Sequence, residues 1–339
     1  MSTDLARHAL SGATMGTRWS TLLHAPPATN IAALSAALAR AVDRVDRQMS
    51  TWKPDSDLMR LNAAASGIWV PLPAELMRVL AKGLEIGRAS GGAFDIGLGS
   101  LVNIWGFGPV GTKPDAAAIQ AALRKEQPPC HEMLELDMAD GRARKHAHLQ
   151  LDLSGIAKGH GVDEMMRVAT AFGVTSALVG LDGELKACGA KPDGAPWRVA
   201  VEKPDYETRG PLGVITLRDA AVATSGDYRH WLDMGGKRLS HTMDRSRGGP
   251  ADNGTASVSV VASSCMEADA WATALMVLGA VEGKALALKQ GLDALFIQRA
   301  GEELVQIAVG PVFGPAHAGP KQIARQSSMP VVAALDRCQ

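Results

Sequence analysis

Three separated stretches of the chain carry residue types able to hold a metal-bound pyrophosphate. They are Asp152-Leu-Ser-Gly-Ile-Ala-Lys-Gly159, Ser225-Gly-Asp-Tyr228 running on to Ser240-His-Thr-Met-Asp244, and Ser264-Cys-Met-Glu-Ala-Asp-Ala-Trp-Ala-Thr273. Breaking a pyrophosphate requires neutralised phosphate charge, an in-line nucleophile and a group that activates it. Mg²⁺ prefers oxygen ligands and keeps several waters, so a few protein oxygens suffice to hold it. Asp269 and Thr273 are spaced i, i+4, which puts a carboxylate and a hydroxyl on one helical face. A main-chain carbonyl from the 152–159 run would complete a plausible set. Taken alone, the helix is better read as a capped core helix with an Asp–Thr hydrogen bond.

The run from Asp152 to Gly161 reads as a strand ending in a turn that opens a helix. Gly155, Gly159 and Gly161 permit close backbone approach, and Lys158 adds a cation where a helix N-terminus already favours anions. A solvated lysine on an ordinary turn has the same local sequence. His241 is the candidate for proton transfer. An imidazole titrating at about 6.5 can take the proton of an attacking serine or threonine hydroxyl. Its run, Leu239-Ser-His-Thr-Met-Asp244, follows a Gly235-Gly236 turn and reads as a strand entering a loop.

The elements that must position these residues show interleaved helical and strand periods without regular βαβ spacing. Asn30 caps a helix predicted over 31–48, with Leu38, Val42, Val45 and Met49 on one face. A second is expected at 74–89, and a third after Ser264, where Ser264 and Glu267 form a capping box and Gly279 stands as the C′ glycine. Strands are expected at Trp19–His24, Leu149–Leu153, Ser176–Leu181, Trp197–Glu202, Ser257–Ala262 and Ala294–Gln298. Such a mixture is α+β.

In this order the three stretches resemble the flavin transferases of the ApbE family, which move FMN from FAD onto a protein hydroxyl. Met15-Gly-Thr17, Ser50-Thr-Trp52-Lys-Pro-Asp-Ser56, Gly92-Ala-Phe-Asp95 and Leu101-Val-Asn-Ile-Trp-Gly-Phe-Gly-Pro109 match as well, so the resemblance spans roughly 13–280. It implies mixed sheets flanked by helices, in two closely packed lobes with the site in the cleft between them. It also implies Mg²⁺ at Gly155, Asp269 and Thr273. Family members often carry serine or asparagine where Gly155 stands, so only its main-chain oxygen could serve. FAD contacts are implied at Met15, Trp52, Ala93, Phe94, Asp95, Asp152, Lys158 and Met243, with Trp52 offering a flat face and Asp95 a hydrogen-bond acceptor. His241 is the implied base, and Arg245 replaces the usual proline after Asp244.

The implied partner is an acceptor protein with a Thr or Ser flavinylation site, and AMP leaves. The same residues would serve an FAD pyrophosphatase, or a protein that binds FAD without cleaving it. Gly183-Glu184 partly matches a Gly-Gly-acidic segment, with Asp182 in place of the first glycine. Ser11-Gly-Ala-Thr14 resembles an FMN acceptor stretch, with His8 where its aspartate would stand; alternatively it simply leads into Met15. The expected organisation is a catalytic region over 13–280, the end of the same domain over 281–308, and a Gly/Pro/Ala-rich extension over 309–339.

Composition narrows the alternatives. Of 339 residues 46% are hydrophobic, enough for one large core, and Lys+Arg 35 balance Asp+Glu 35, so no nucleic-acid footprint is expected. Four scattered cysteines form no CxxC pair, which argues against a zinc site or a disulfide framework. Gly106-Phe-Gly-Pro-Val-Gly111 satisfies a dinucleotide fingerprint literally, but Pro109 and Pro114 stand where its helix should begin. No membrane span is expected. The N-terminal run has neither an apolar signal core nor a lipid-acceptor cysteine, so the expected compartment is the cytoplasm, or the periplasm if a leader was trimmed.

Overall fold

Asn30 caps the first helix as its sequence predicts, its side chain accepting the Ala33 amide at 3.0 Å. In the computed structural model, which describes residues 5–109, 113–123, 128–234, 236–301 and 303–314, hairpins and helices interleave. The N-terminal part holds β1 (Ala6–Thr14), β2 (Thr17–Ala25), α1 (Ile31–Met49), α2 (Asp57–Ala63), β3 (Trp69–Pro71), α3 (Ala74–Ala89) and α4 (Gly99–Ile104). Next come α5 (Ala116–Leu123), α6 (Cys130–Met133), β4 (Leu134–Asp137), β5 (Arg142–Lys145), α7 (Ala157–Ala171), β6 (Ser176–Leu181), β7 (Glu184–Cys188), β8 (Trp197–Glu202) and β9 (Pro211–Leu217). The chain continues through β10 (Ala221–Gly226), β11 (Trp231–Met234), β12 (Lys237–Ser240), β13 (Met243–Asp244) and β14 (Gly249–Pro250). It closes with β15 (Thr255–Ala262), α8 (Cys265–Gln290), β16 (Asp293–Ala300) and β17 (Glu303–Val309).

An antiparallel eight-stranded sheet, ordered β1-β2-β6-β7-β10-β15-β16-β17, forms the frame. Strand alternation splits its side chains between two cores. Val179 packs with α1 and α7, and Phe296 with α3 and α8, while Leu178, Leu295 and Ile297 pack under the β8–β9 hairpin. The fold is α+β, as read from the sequence.

Two expectations are corrected. Leu149–Leu153 is buried and extended but is not a strand. Besides one bridge between Leu98 and Gln150 and a bond from Asp152 N to the Ile96 carbonyl at 2.9 Å, its backbone is served by side chains: Asn62 accepts from Leu151 N at 2.7 Å and donates to Leu151 O at 2.9 Å, and Lys145 donates to Leu149 O at 3.2 Å. As expected from its position, Gly279 (φ 75°, ψ −179°) ends the first helical segment of α8, whose last carbonyls Met276 O and Val277 O accept from Asn253 Nδ2 at 3.0 and 2.9 Å; the second segment runs on to the left-handed Gly291. The other correction concerns the cap of α8. The capping box is half made. Ser264 Oγ accepts from Glu267 N, but the Glu267 carboxylate pairs with Lys82 at 3.0 Å. Ser11–Thr14 lies in β1, which no apolar pattern announces. Gly235, Cys338 and most of the 309–339 extension fall outside the described residues, as do residues 110–112 of the rejected glycine motif.

α8 is the one helix among the described residues long and apolar enough to cross a bilayer, with mean hydropathy 1.4. Here that composition serves the core, where Ala268, Ala270, Ala272, Ala274 and Leu275 are fully buried. A charged staple ties α1, α3 and α7 together. Glu75 takes Arg44 at 2.8 Å and Gln48 at 3.0 Å and faces His160 at 3.4 Å; Glu164 takes Arg44 at 3.1 Å and Arg167 at 2.9 Å. Burial works to raise the Glu75 carboxyl, but hydrogen bonds from His160 and Arg44 outweigh it and hold it at about 2. The stability this contributes is complete above the ordinary carboxylate range and is lost as pH falls through about 2. Glu75→Ala strands buried partners and is expected to cost about 3 kcal/mol. A urea midpoint unchanged from wild type at neutral pH would contradict that role.

Candidate active site

The N-terminal turn of α7 packs directly against the first turns of α8. Gly159 N donates to Asp269 Oδ2 at 3.0 Å. A Cβ at position 159 would run into the Cys265 carbonyl and stand 2.8 Å from Asp269 Cβ, so only glycine lets the helices touch here. One helical turn beyond Asp269, Thr273 Oγ1 bonds Ser225 Oγ of β10 at 3.1 Å. A Cβ at Gly155 would lie 3.0 Å from that same Thr273 oxygen and 3.3 Å from the Phe94 ring. The three predicted ligand positions therefore stand together. Asp163 of α7 fixes the register by accepting from Ser264 Oγ at 2.8 Å, Cys265 N at 3.0 Å and Met266 N at 2.9 Å.

The electrostatics of this junction favour a cation. Lys158 Nζ lies 2.9 Å from Glu184 and 3.2 Å from Asp182. Burial works to lower the Lys158 ammonium, but Glu184, Asp182 and Asp269 outweigh it and raise it. Burial lifts the Asp269 carboxyl to about 6 and that of Glu184 to about 8, although Lys158 opposes both. Three carboxylates thus share one ammonium. A carboxylate, a hydroxyl and a peptide carbonyl are hard oxygens, and the space beside Gly155 is one a side chain would fill, so these residues fit Mg²⁺.

His241 follows β12 and borders the junction closely enough to feel the charges of Lys158 and Asp182. Its Nδ1 lies 3.1 Å from the His230 carbonyl, which can only accept, so Nδ1 carries the hydrogen and Nε2 is left as the acceptor. Burial, aided by the neighbouring His230, lowers the ring to about 4. The ring is therefore neutral at physiological pH.

The family model described as ApbE family matches residues 15–296. The chain is 36% identical over 304 residues to the FAD:protein FMN transferase of Klebsiella pneumoniae, covering 86% of this chain and 85% of that one. It superposes on the apo form of Pseudomonas stutzeri flavinyl transferase ApbE with TM-score 0.80 and 37% identity, covering 90% and 95% of the two chains. The flavin transferase ApbE from Vibrio cholerae matches with TM-score 0.80 and 33% identity over 90% and 97%. The chain belongs to the ApbE family. It is accordingly a transferase.

The remaining sites expected from ApbE resemblance fall into two groups. Met15 forms the tip of the β1–β2 hairpin at φ 45°, and its methyl lies 3.9 Å from a Cβ built on Gly161 of α7. Phe94 is buried against Gly155, with Ala93 beside it. Asp152 Oδ1 caps the turn by accepting from Ser154 N at 2.8 Å. These four border the junction. Met243 is buried in β13, paired with Pro250.

Trp52 stands apart in the turn after α1, 68% exposed, its indole face open to a ring. The Asp95 carboxylate faces inward, accepting from Gly97 N at 2.7 Å and Cys130 N at 3.2 Å with Arg245 at 3.6 Å. It braces the 92–97 loop, and burial raises its pKa.

Sequence reasoning missed Asp163 as part of this site, named Ser225 only within its stretch, and noted Asp182 and Glu184 without giving them a role. Asp182 sits at φ 53° and accepts from Thr17 Oγ1 at 3.1 Å, tying the β1–β2 hairpin to Lys158. Its place beside Gly183-Glu184 was the available signal. Gly159→Ala is expected to force α7 off α8 and cost about 2 kcal/mol. Gly210→Ala, which meets open space, is expected to cost almost nothing. Equal urea midpoints for the two variants would show that the helices do not depend on that contact.

Proposed function

We propose that this chain catalyses Mg²⁺-dependent transfer of the FMN half of FAD to a threonine or serine hydroxyl of an acceptor protein, with release of AMP. The observation that carries the reading is the convergence of Gly155, Asp269 and Thr273 at the helix junction that also holds Lys158. A pyrophosphate is anionic, and with Glu184 lifted to about 8 the Asp182 and Asp269 carboxylates still outnumber Lys158 there. FAD would be repelled unless a divalent cation entered with it. Bound by Asp269, Thr273 and the Gly155 carbonyl, Mg²⁺ would neutralise phosphate charge and orient the pyrophosphate.

The protein's own residues do the rest. Lys158, held in place by Glu184 and Asp182, offers a fixed positive charge to the phosphate oxygens. His241 Nε2 takes the proton of the acceptor hydroxyl as its oxygen bonds the FMN phosphorus. The bond from that phosphorus to the bridging oxygen breaks, and the oxygen leaves with AMP. The product is a phosphoester-linked flavin. His241 contributes roughly 10²–10⁴-fold, with the larger share left to electrostatics. Phe107, its ring 6.4 Å from that of His241, packs beside the base.

Incubation with FAD, Mg²⁺ and acceptor should yield AMP and covalently flavinylated acceptor in equal amounts. AMP with only free FMN would identify a hydrolase instead, and intact bound FAD a carrier. Asp269→Asn is expected to reduce transfer by at least about 10³-fold, and His241→Ala by about 10²–10⁴-fold. Near-native rates in both at saturating Mg²⁺ would contradict the assigned roles.

Because the base must be unprotonated, kcat/KM at saturating Mg²⁺ should hold from neutral pH down towards 4 and fall below it, following the lowered His241. An acid limb near the ordinary histidine value that does not move as Mg²⁺ is raised, and so does not come from Asp269, would show that the ring is not the lowered base described.

A further inference from the structure

The hairpin that delivers His241 carries a surface the proposed chemistry leaves unused. Among the described residues β11 and β12 pair only with each other, in the register Trp231↔Ser240 and Asp233↔Arg238. Alternation puts Trp231, Asp233, Arg238 and Ser240 on one face. There the exposed Arg238 guanidinium lies over two rings, 4.2 Å from Tyr206 and 4.6 Å from Trp231. The rings meet edge to face at 6.2 Å.

Tyr206 is fixed from below. Its hydroxyl donates to Asp227 at 3.0 Å, and Arg299 both covers the ring at 4.4 Å and pairs with Asp227 at 2.8 Å. This rigid platform presents Trp231, 37% exposed, to solvent. Half-exposed tryptophan stacked with arginine is the pairing that dominates protein interfaces.

Position and charge indicate what sits there. Trp231 and Ser240 are the chain neighbours of His230 and His241, so the platform begins at the hairpin root that holds the base. An acceptor chain bringing its hydroxyl to His241 Nε2 passes this root, and a two-stranded hairpin leaves strand edges on which an extended segment can lie. From 231 to 240 the hairpin carries Lys237 and Arg238 against one acidic residue, Asp233, which accepts from the Gly236 amide at 3.0 Å, while Arg229 just before it is paired with Glu202.

We propose that the Tyr206–Trp231–Arg238 face docks the extended, acidic segment of the acceptor protein that bears the hydroxyl to be modified. The proposal rests on the transferase reading above. Carboxylates flanking the hydroxyl pair with the outer N–H edge of Arg238, and Trp231 covers the segment's side chains.

The test offers two short threonine peptides, alike except that one is flanked by aspartates and the other by lysines, to wild type, Trp231→Ala and Arg238→Glu with FAD and Mg²⁺. Peptide flavinylation is followed by mass spectrometry, and FAD cleavage by AMP release without peptide. Wild type is expected to favour the aspartate peptide by about tenfold in kcat/KM, and each variant to raise its KM about tenfold. FAD affinity should not change, and Arg238→Glu should turn the preference towards the lysine peptide. FAD cleavage with neither peptide modified would identify the hydrolase, whereas equal use of the two peptides or unchanged KM in both variants would overturn the docking surface. FAD left intact under every condition would instead remove the transferase reading on which it stands.

Discussion

The site depends on one close contact, the Gly159 amide against the Asp269 carboxylate. It is possible because position 159 has no side chain and because Asp163, one turn further along α7, caps the first amides of α8. Once that contact is made, geometry decides the rest. Thr273 follows Asp269 by one turn, Gly155 precedes Gly159 by one turn, and the two arrive beside each other. The helices come from sequence positions more than a hundred residues apart, and the antiparallel sheet brings their starting points to one end.

The same contact sets the charge. Burying Asp269 between helices raises its carboxyl to about 6, and Glu184 is lifted to about 8 behind it. A buried group of acids with a single lysine is costly unless a cation completes it. The Glu75, His160 and Glu164 cluster makes an instructive contrast. It has metal-binding residue types, yet Arg44, Arg167 and Gln48 take up its carboxylates, and it acts as a staple between helices.

How much of this was legible in the sequence follows from how local each cause is. The 31–48 and 74–89 helices and the strands Ser176–Leu181 and Trp197–Glu202 formed within a residue of expectation, because their apolar periods and caps are local. The Leu149–Leu153 run has a strand's alternation, but its would-be ladder partner is the side chain of Asn62, which no local pattern reveals. Gly279 was legible as a helix end, but no comparable signal announced the second segment that follows it to Gly291, buried through Ala280, Gly283 and Ala287. The ligand candidates were visible through residue type and i, i+4 spacing. Asp182 and Glu184 were visible only as a partial motif match; their pairing with Lys158 was hidden because it arises from the packing of α7 on the β6–β7 hairpin.

The central claim, a divalent ion at the junction of the two helices, is tested most directly by crystals grown with FAD and Mn²⁺ in place of Mg²⁺. Anomalous scattering locates Mn²⁺ without reference to activity. The account predicts a peak within bonding distance of an Asp269 carboxylate oxygen, the Thr273 hydroxyl and the Gly155 carbonyl, beside the pyrophosphate. FAD bound with no peak there, or with Mn²⁺ only at Glu75, His160 and Glu164, would contradict it.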